Sequence, residues 1–307
     1  MEGKTRPSLA AVWLRELRAP FFVGTLSPAV FGAVYAHYTG VPFNWLLFAL
    51  TFIGTALTNA GLNMTNDYFD HRSGDDYLTP ATPVSGGSKV IQEGLLPPRQ
   101  VLVAAILCLV AAAGIGLYLN FVTGGRVLLA VGAVGMFIAW FYTAPPFKLG
   151  HRSGLGELVC VLGCGPIIAL GAYFVQARQF SWPAFAASLP IGILMGLVLF
   201  INEFHDVHAD GAVGKRTMVV ALGTGMSVPV LLAAFVATYA LAAVLVAAGV
   251  LPALASLVLV TLPLAGFAWL RARRFHADSA RLLPANFAII GLHFTFSAIV
   301  TVALLLS

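Results

Sequence analysis

The chain has 307 residues, of which 59% are hydrophobic and only 9% are charged, and its mean hydropathy is +0.91. A soluble domain of this length could not bury so much apolar surface, so the composition excludes an ordinary soluble protein and predicts one embedded in a lipid bilayer. The net charge of +5 does not indicate nucleic-acid binding, because the positions of the basic residues follow membrane topology instead.

The elements predicted along the chain are all helical. Residues 8–18 carry Trp13 and Leu17 beside Arg15 and Arg18, which predicts an interfacial helix. The first apolar run follows without a small-residue cleavage site and is interpreted as a retained helix. A membrane-spanning helix needs about 20 apolar residues, so we expect an all-α polytopic protein, with nine transmembrane helices around a central cavity and a single domain over residues 1–307. The nine runs lie at about residues 21–38, 45–65, 101–121, 127–144, 155–175, 183–201, 228–248, 251–270 and 285–306.

The charged residues predict the orientation of these helices. Of the 17 Lys and Arg residues, all but Arg126 and Arg178 fall on one side of the predicted topology. The positive-inside rule therefore predicts a cytoplasmic N-terminus and an extracytoplasmic C-terminus. All 12 Asp and Glu residues also fall on the cytoplasmic side. Carboxylates contribute little to orientation, so their position needs a chemical explanation.

The first of two acidic clusters, residues 66–76, closes the second apolar run. Asn66, Asp67 and Asp70 are spaced to share one face of a continued helix. The same face runs back into the membrane through Asn63 and Asn59. Because polar residues at that depth are costly unless they face a cavity or another helix, we expect this face to line an internal space.

The second acidic cluster, residues 202–210, closes the sixth run. Asn202, Asp206 and Asp210 repeat every four residues, and Glu203 lies three residues before Asp206. Four predicted helices separate the clusters, so both end on the same side and face one another as a parallel repeat.

Carboxylates crowded at one rim raise one another's pKa unless cations lie between them. Magnesium suits such a site, because it takes oxygen ligands and commonly bridges one or two carboxylates to substrate phosphates. Zinc does not, since the histidines lack a zinc spacing and the three cysteines lie within apolar runs as buried small side chains.

Basic residues in the same loops are candidate partners for a diphosphate. Lys89 ends the glycine-containing segment 82–89, whose backbone N–H groups could approach a phosphate, and Lys215 and Arg216 follow the second cluster closely. The alternative role for each base is anchoring at the lipid headgroups. The predicted diphosphate-binding residues are Asn66, Arg72, Lys89, Lys148, Asn202, Lys215 and Arg216.

These parts predict ionisation of an isoprenoid diphosphate, with the allylic cation held in an apolar, aromatic chamber until an electron-rich ring attacks it. Glu157 is a candidate for binding the acceptor or its proton. Aromatic residues that could flank the cation are Tyr68, Phe69, Trp140, Phe141, Tyr142 and Phe204.

At these residues the sequence resembles the UbiA superfamily of membrane prenyltransferases, which carry an Asn-Asp-X-X-Asp motif after the second helix and a related motif after the sixth. Residues 66–70, 85–88, 142–150 and 154–157 look most like the 1,4-dihydroxy-2-naphthoate polyprenyltransferase branch of menaquinone biosynthesis. Two departures are Glu203, where Asp is common, and the spacing from Tyr142 to Lys148, which is longer than in some relatives. The resemblance implies Mg²⁺, a polyprenyl diphosphate, an aromatic acceptor and catalytic residues Asp67, Asp70, Asp206 and Asp210, with Asp76 and Glu203 as further metal ligands.

Other functions remain open at this point. The diphosphate half of the site is compatible with homogentisate, 4-hydroxybenzoate, a chlorophyll-type alcohol or a lipid alcohol as the acceptor. A secondary transporter is the alternative of another class. Transporter sites usually lie at the bilayer midplane within inverted repeats, whereas these charges lie at one rim in a parallel repeat.

Overall fold

The computed structural model describes residues 7–18, 21–79, 82 and 87–307, and the regular structure in these ranges is helical, as the sequence predicts. Lys4 and Arg6 of the charge pattern, and residues 83–86 of the predicted phosphate loop, lie outside them. The α-helices are α1 Leu9–Glu16, α2 Phe22–Tyr38, α3 Trp45–Ser73, α4 Asp75–Leu78, α5 Pro98–Thr123, α6 Val127–Phe141, α7 Leu155–Leu162, α8 Ile168–Ala177, α9 Trp182–Ala212, α10 Met218–Leu222, α11 Thr224–Ala247, α12 Leu262–Phe275 and α13 Ser279–Leu305.

Polar caps set where the two helices that carry the acidic clusters begin. The side chains of Asn44 and Ser181 accept the N–H groups of Leu47 and Ala184 and so start α3 and α9. A π-helical turn, Gly163–Ile167, joins α7 to α8, and a 3₁₀ segment leads into α12.

Seven helices in the described part of the chain are long and apolar enough to cross a bilayer, counting α7 with α8 and the 3₁₀ segment with α12. The predicted runs at 21–38 and 127–144 form α2 and α6, which are helices of 17 and 15 residues. The described residues therefore contain nine apolar helical segments where expected, but the number of membrane-crossing helices among them is not confirmed as nine.

Close packing between helices depends on glycine. A Cβ atom on Gly32 of α2 would lie 2.0 Å from the carbonyl oxygen of Ala169, and one on Gly192 of α9 would lie 2.3 Å from that of Val161. These contacts hold α2 against α8, and α9 against α7, at backbone distance. The largest cluster of buried apolar side chains lies among α2, α9, α11, α12 and α13.

Helix α1 packs on the same end of the bundle as the two acidic clusters, which we call the acidic end. Trp13 and Leu17 pack against the buried side chains of Met64 and Val90, while Leu14 stays exposed. The helix predicted at residues 8–18 is thus present, with an apolar residue left on its outer face.

Candidate active site

The second acidic cluster and residues 66–73 of the first lie on continuous helices, because α3 and α9 run beyond the apolar segments that predict them; Asp75 and Asp76 belong to α4. Helix α3 continues to Ser73 and ends where Gly74 takes a positive φ of 85°, a conformation that glycine adopts without strain. Helix α9 continues to Ala212. Asn66 and Asp70 line one cavity together with the α9 cluster, as predicted, but Asp67, which the sequence places on the same face, does not line it.

This cavity is a chamber of about 580 Å³ with polar residues at one end and apolar walls. The polar end is the acidic end of the bundle. Asn63 and Asn59 extend the polar lining along α3 towards its N-terminus, as the sequence predicts. The acidic-end residues that line it are Asn66, Asp70, Asp75, Asp76, Asn202, Glu203, Asp206, Asp210 and Lys215.

Lys215 joins the two clusters. Its Nζ lies 3.1 Å from Asp75 Oδ2 and 3.0 Å from Asp210 Oδ1. Burial alone would lower the pKa of Lys215, but the charges of Asp70, Asp210, Asp75 and Asp206 outweigh it and hold the pKa above its usual value. Lys215 therefore carries a positive charge at the centre of the acidic end.

Lys89 is bound within the first cluster. Its Nζ donates to the backbone carbonyl of Asp76 and lies 3.4 Å from Asp76 Oδ1, while Gln92 Nε2 donates to Asp76 Oδ2 at 3.0 Å. Burial, followed by the charge of Asp67, raises the pKa of Asp76 to about 6. Both oxygens of Asp76 thus already face protein donors.

Asp67 points away from the chamber. Its Oδ2 accepts the Ser88 N–H at 2.9 Å, and its Oδ1 lies 3.7 Å from the Arg18 guanidinium. Only 2% of Asp67 is exposed, and it is absent from the residues that line the chamber. Asp67 therefore attaches the segment that contains Ser88 to helix α3, beside the chamber.

Of the five predicted diphosphate-binding bases, only Lys215 lines the chamber; Lys89, described above, and three others lie outside its wall. Arg72 is exposed and lies over the ring of Tyr68 at 6.0 Å, and Arg216 is exposed and forms a backbone bridge to Arg152. Lys148 adopts a positive φ of 43° before a short 3₁₀ turn and does not reach the lining.

Several lining residues were missed by sequence reasoning. Arg18 reaches the chamber from the segment between α1 and α2, whereas the sequence predicts it only as part of an interfacial helix. His151 lines the chamber from the 3₁₀ turn, and burial, helped by the charges of Lys215 and Lys148, lowers its pKa to about 4. It is a neutral imidazole at neutral pH.

Glu203 and Glu157 form a carboxyl pair at the side of the chamber. Glu157 Oε1 accepts the Met218 N–H at 2.7 Å, and Glu203 Oε2 accepts the Val219 N–H at 3.3 Å. The charge of Glu157 acts on Glu203, and Glu157 Oε2 is buried without a hydrogen-bond partner in the part of the chain that the structure describes. Glu203 lines the chamber, and Glu157 lies behind it.

Of the aromatic residues predicted to flank a cation, Tyr142 alone lines the chamber. Phe204 is buried in the apolar core, Phe69 packs on Trp140, and Phe141 packs on Phe137.

The acidic end suits a magnesium ion that is only partly coordinated by protein better than it suits an ion held entirely by protein side chains. In the described ranges, no three His, Cys, Asp or Glu side chains converge as a metal cage. Asp70 Oδ1, Asp75 Oδ1 and Asp206 Oδ1 are each buried without a hydrogen-bond partner. Oxygen atoms left open in this way suit an ion that keeps water and phosphate in its coordination shell.

Comparison with known proteins agrees with this geometry. Residues 25–298 match the UbiA prenyltransferase family. The chain belongs to this family. It is 27% identical over 292 residues to a 2-carboxy-1,4-naphthoquinone phytyltransferase of Synechocystis sp., covering 94% of this chain and 92% of that protein. It is 32% identical over 215 residues to a 1,4-dihydroxy-2-naphthoate octaprenyltransferase of Mycobacterium tuberculosis, covering 69% of this chain and 70% of that one.

The family fold is also shared. A UbiA homolog from Archaeoglobus fulgidus, solved with GPP and Mg²⁺, superimposes with a TM-score of 0.63 at 16% identity, covering 94% of this chain and 99% of that one. Since the UbiA relatives are named as prenyltransferases, the prediction of a membrane prenyltransferase is confirmed, and the transporter alternative is set aside.

Proposed function

We propose that the chain transfers a prenyl group from an isoprenoid diphosphate to a 1,4-dihydroxy-2-naphthoate-type acceptor, with Mg²⁺, as a step of menaquinone biosynthesis. The observation that carries the proposal is the pairing of two acidic helix ends through Lys215 at the mouth of an apolar chamber. An isoprenoid diphosphate has a charged, metal-binding head and a long apolar tail, so it needs these two environments side by side.

The diphosphate is assigned to the acidic end. Lys215 supplies a partly buried positive charge there, and Arg18 also lines this end. Asp70, Asp206 and Asp210 would hold Mg²⁺ from the chamber side, with Asp67 behind them. When bound, the ion stabilises the negative charge that develops on the departing diphosphate. Lys215 would stabilise the same charge without moving far, because both its carboxylate partners belong to helices.

The prenyl tail is assigned to the apolar part of the chamber. Its walls include Leu62 and Ile115 of α3 and α5, Met136 of α6, and Val198 of α9. These apolar side chains exclude water, so few waters compete with the acceptor for the allylic cation. Tyr142 is positioned to face the reacting end.

The acceptor is assigned to the side of the chamber where Glu203 and His151 reach the wall. In the transfer, the prenyl carbon–oxygen bond breaks and diphosphate leaves with its electrons. A ring carbon of the acceptor forms the new carbon–carbon bond and then loses its proton. Glu203, backed by Glu157, and the neutral imidazole of His151 are the groups that can accept that proton. The naphthoate assignment is supported by the names of the relatives, both of which refer to naphthalene-ring acceptors.

The positive-inside pattern supports placing this acidic end on the cytoplasmic side, with the N-terminus cytoplasmic and the C-terminus outside. Labelling of single cysteines introduced at the exposed positions Arg216 and Leu306 in intact cells would test this orientation.

Prenyl transfer is tested with purified protein in detergent, radiolabelled geranylgeranyl diphosphate, and acceptors that include 1,4-dihydroxy-2-naphthoate, homogentisate and 4-hydroxybenzoate. We expect magnesium-dependent prenylation of the naphthoate alone. Transfer to a different acceptor would replace the acceptor assignment, and transfer that persists in excess chelator would remove Mg²⁺ from the proposal.

A further inference from the structure

A polar chain behind the second acidic cluster determines how one of its residues faces the chamber. Asn286 of α13 is fully buried, and its Nδ2 donates to Asn202 Oδ1 at 2.8 Å. The other end of the Asn286 amide, Oδ1, lies 2.9 Å from His205 Nε2. Asn202 lines the chamber, whereas Asn286 and His205 do not.

The ring nitrogen of His205 that faces away from Asn286 shows which groups donate and which accept in this series of hydrogen bonds. His205 Nδ1 is buried and has no hydrogen-bond partner. An unpaired buried N–H is rarer and costlier than an unpaired acceptor, so Nδ1 carries the lone pair and Nε2 carries the proton. Nε2 then donates to Asn286 Oδ1, which forces Asn286 to turn its NH₂ group towards Asn202.

The consequence falls on Asn202. Its carbonyl oxygen is engaged from behind by Asn286, and its own NH₂ group is the part of the amide left for the chamber. A donor in this position suits an anionic oxygen, and it does not suit a metal ion.

The first acidic cluster has the same arrangement. Thr143 is buried, and its hydroxyl donates to Asn66 Oδ1. Asn66 and Asn202 occupy matching positions in the two acidic clusters, and each is engaged at its oxygen by a residue from another segment.

Resting on the proposed function, we propose that Asn286, oriented by His205, is a positioning residue that holds Asn202 as a hydrogen-bond donor to the substrate diphosphate. Thr143 holds Asn66 in the same sense. The two asparagines are therefore anion-binding groups between the carboxylates, and magnesium binding is left to the aspartates.

The test replaces one atom. Asn286→Asp keeps the acceptor for His205 but removes the donor to Asn202, so the Asn202 amide turns its NH₂ backwards and presents oxygen to the chamber. We expect the KM for the prenyl diphosphate, and the Kd measured directly by equilibrium binding of labelled diphosphate with Mg²⁺, to rise by roughly 10- to 100-fold, the range for losing one hydrogen bond to a charged group. We expect kcat to change by less than about threefold.

Ser27→Ala is the matched control. It removes a comparable buried contact to α13, the 3.1 Å hydrogen bond between Ser27 Oγ and His293 Nε2, and neither residue lines the chamber. Diphosphate binding should be unchanged. If Asn286→Asp does not fold, His205→Leu and His205→Gln replace it. The leucine variant should weaken binding, and the glutamine variant, which retains a donor to Asn286, should restore it.

Four results would contradict the inference. The first is unchanged Kd in Asn286→Asp. The second is a fall in kcat alone. The third is a lower magnesium requirement with unchanged Kd, which would make Asn202 a metal ligand. The fourth is equal binding by the two His205 variants. Wild-type protein that binds no diphosphate at all would instead sink the proposed function, and this inference with it.

Discussion

Asp76 and Asp206 show how carboxylates in two similar clusters have different tasks. Asp76 is held by Lys89 and Gln92, so its charge stabilises the fold at the acidic end. Asp206 lines the chamber with one oxygen that has no partner among the described residues. A buried oxygen left without a partner costs stability, which the protein tolerates where a ligand completes the site.

Asp206→Asn and Asp76→Asn should therefore separate activity from stability. We expect Asp206→Asn to lose at least about 100-fold in kcat, because a charge that acts on the reacting group is removed, with little change in Tm. Asp76→Asn should retain more activity and lose about 1–3 kcal/mol of stability, since a buried hydrogen-bonded charge pair is weakened. Kinetics and thermal unfolding of both variants in detergent would check this. Equal effects of the two substitutions would mean that the carboxylates share one task.

Lys215 lies between two buried carboxylates, with 19% of its own side chain exposed, so removing it leaves like charges facing each other. We expect Lys215→Met to lose about 3 kcal/mol of unfolding free energy in chelator, as for a broken buried ion pair. Added Mg²⁺ should recover part of the loss, because it can lie between the same carboxylates. Lys148→Met, outside the chamber, is the matched control and should change little. No effect of magnesium on Lys215→Met would count against a metal site here.

Helix α1 depends on tertiary contacts, because eight residues are too few to be stable alone. Ser88 Oγ donates to Glu16 Oε2, and Arg15 forms two hydrogen bonds to Glu93. The Arg15–Glu93 pair is exposed, so it contributes about 0–1 kcal/mol. The buried Glu16 contact is the more specific attachment of α1 to the segment after α4.

Glu16 should make this attachment sensitive to pH. Burial, followed by the charge of Asp67, raises the pKa of Glu16 from 4.5 to about 8. The folded protein then holds a proton that the unfolded chain has released, so this contribution is greatest below pH 4.5. It falls as pH rises towards 8, by up to about 1.4 kcal/mol per unit.

Glu16→Gln removes this titration while keeping an amide donor and acceptor. Thermal unfolding in magnesium-free buffer from pH 5 to 8 should show a smaller decline for the variant than for the wild type. Parallel curves for the two proteins would show that Glu16 is ionised in the fold.

The bundle as a whole places the acidic ends of two long helices, α3 and α9, around a common chamber. Helices α3 and α9 supply the acidic end, whereas α5, α6 and α8 complete the apolar walls. The chamber depends on small residues: Gly132 and Gly135 of α6 line it, and a Cβ on either meets no atom within 4 Å. That open space is volume for the prenyl tail.

Filling this space should change the preferred chain length. We expect Gly132→Leu to lower kcat/KM for a C20 diphosphate relative to a C10 diphosphate by roughly tenfold, since overpacking costs about 1–3 kcal/mol. Gly114→Leu is the control, because Gly114 also has open space around it but does not line the chamber. An unchanged ratio in Gly132→Leu would place the tail elsewhere, for example in the lipid.

Composition and periodicity were sufficient for the class of protein, the positions of the apolar helices and the faces that carry Asp70 and Asp206. Apolar content and a helical repeat of 3.6 residues are local properties, so they can be read without knowing any long-range contact. The motifs also carried the resemblance to the UbiA prenyltransferases, which the family match confirms.

The destinations of individual side chains required the folded structure. Asp67 and Asp70 share a helix face, yet Asp67 turns to Ser88 and Arg18 while Asp70 lines the chamber. Lys215 meets Asp75 across 140 residues of sequence. Such partners are chosen by how helices pack and by which buried polar groups must be satisfied, and neither is encoded in local spacing.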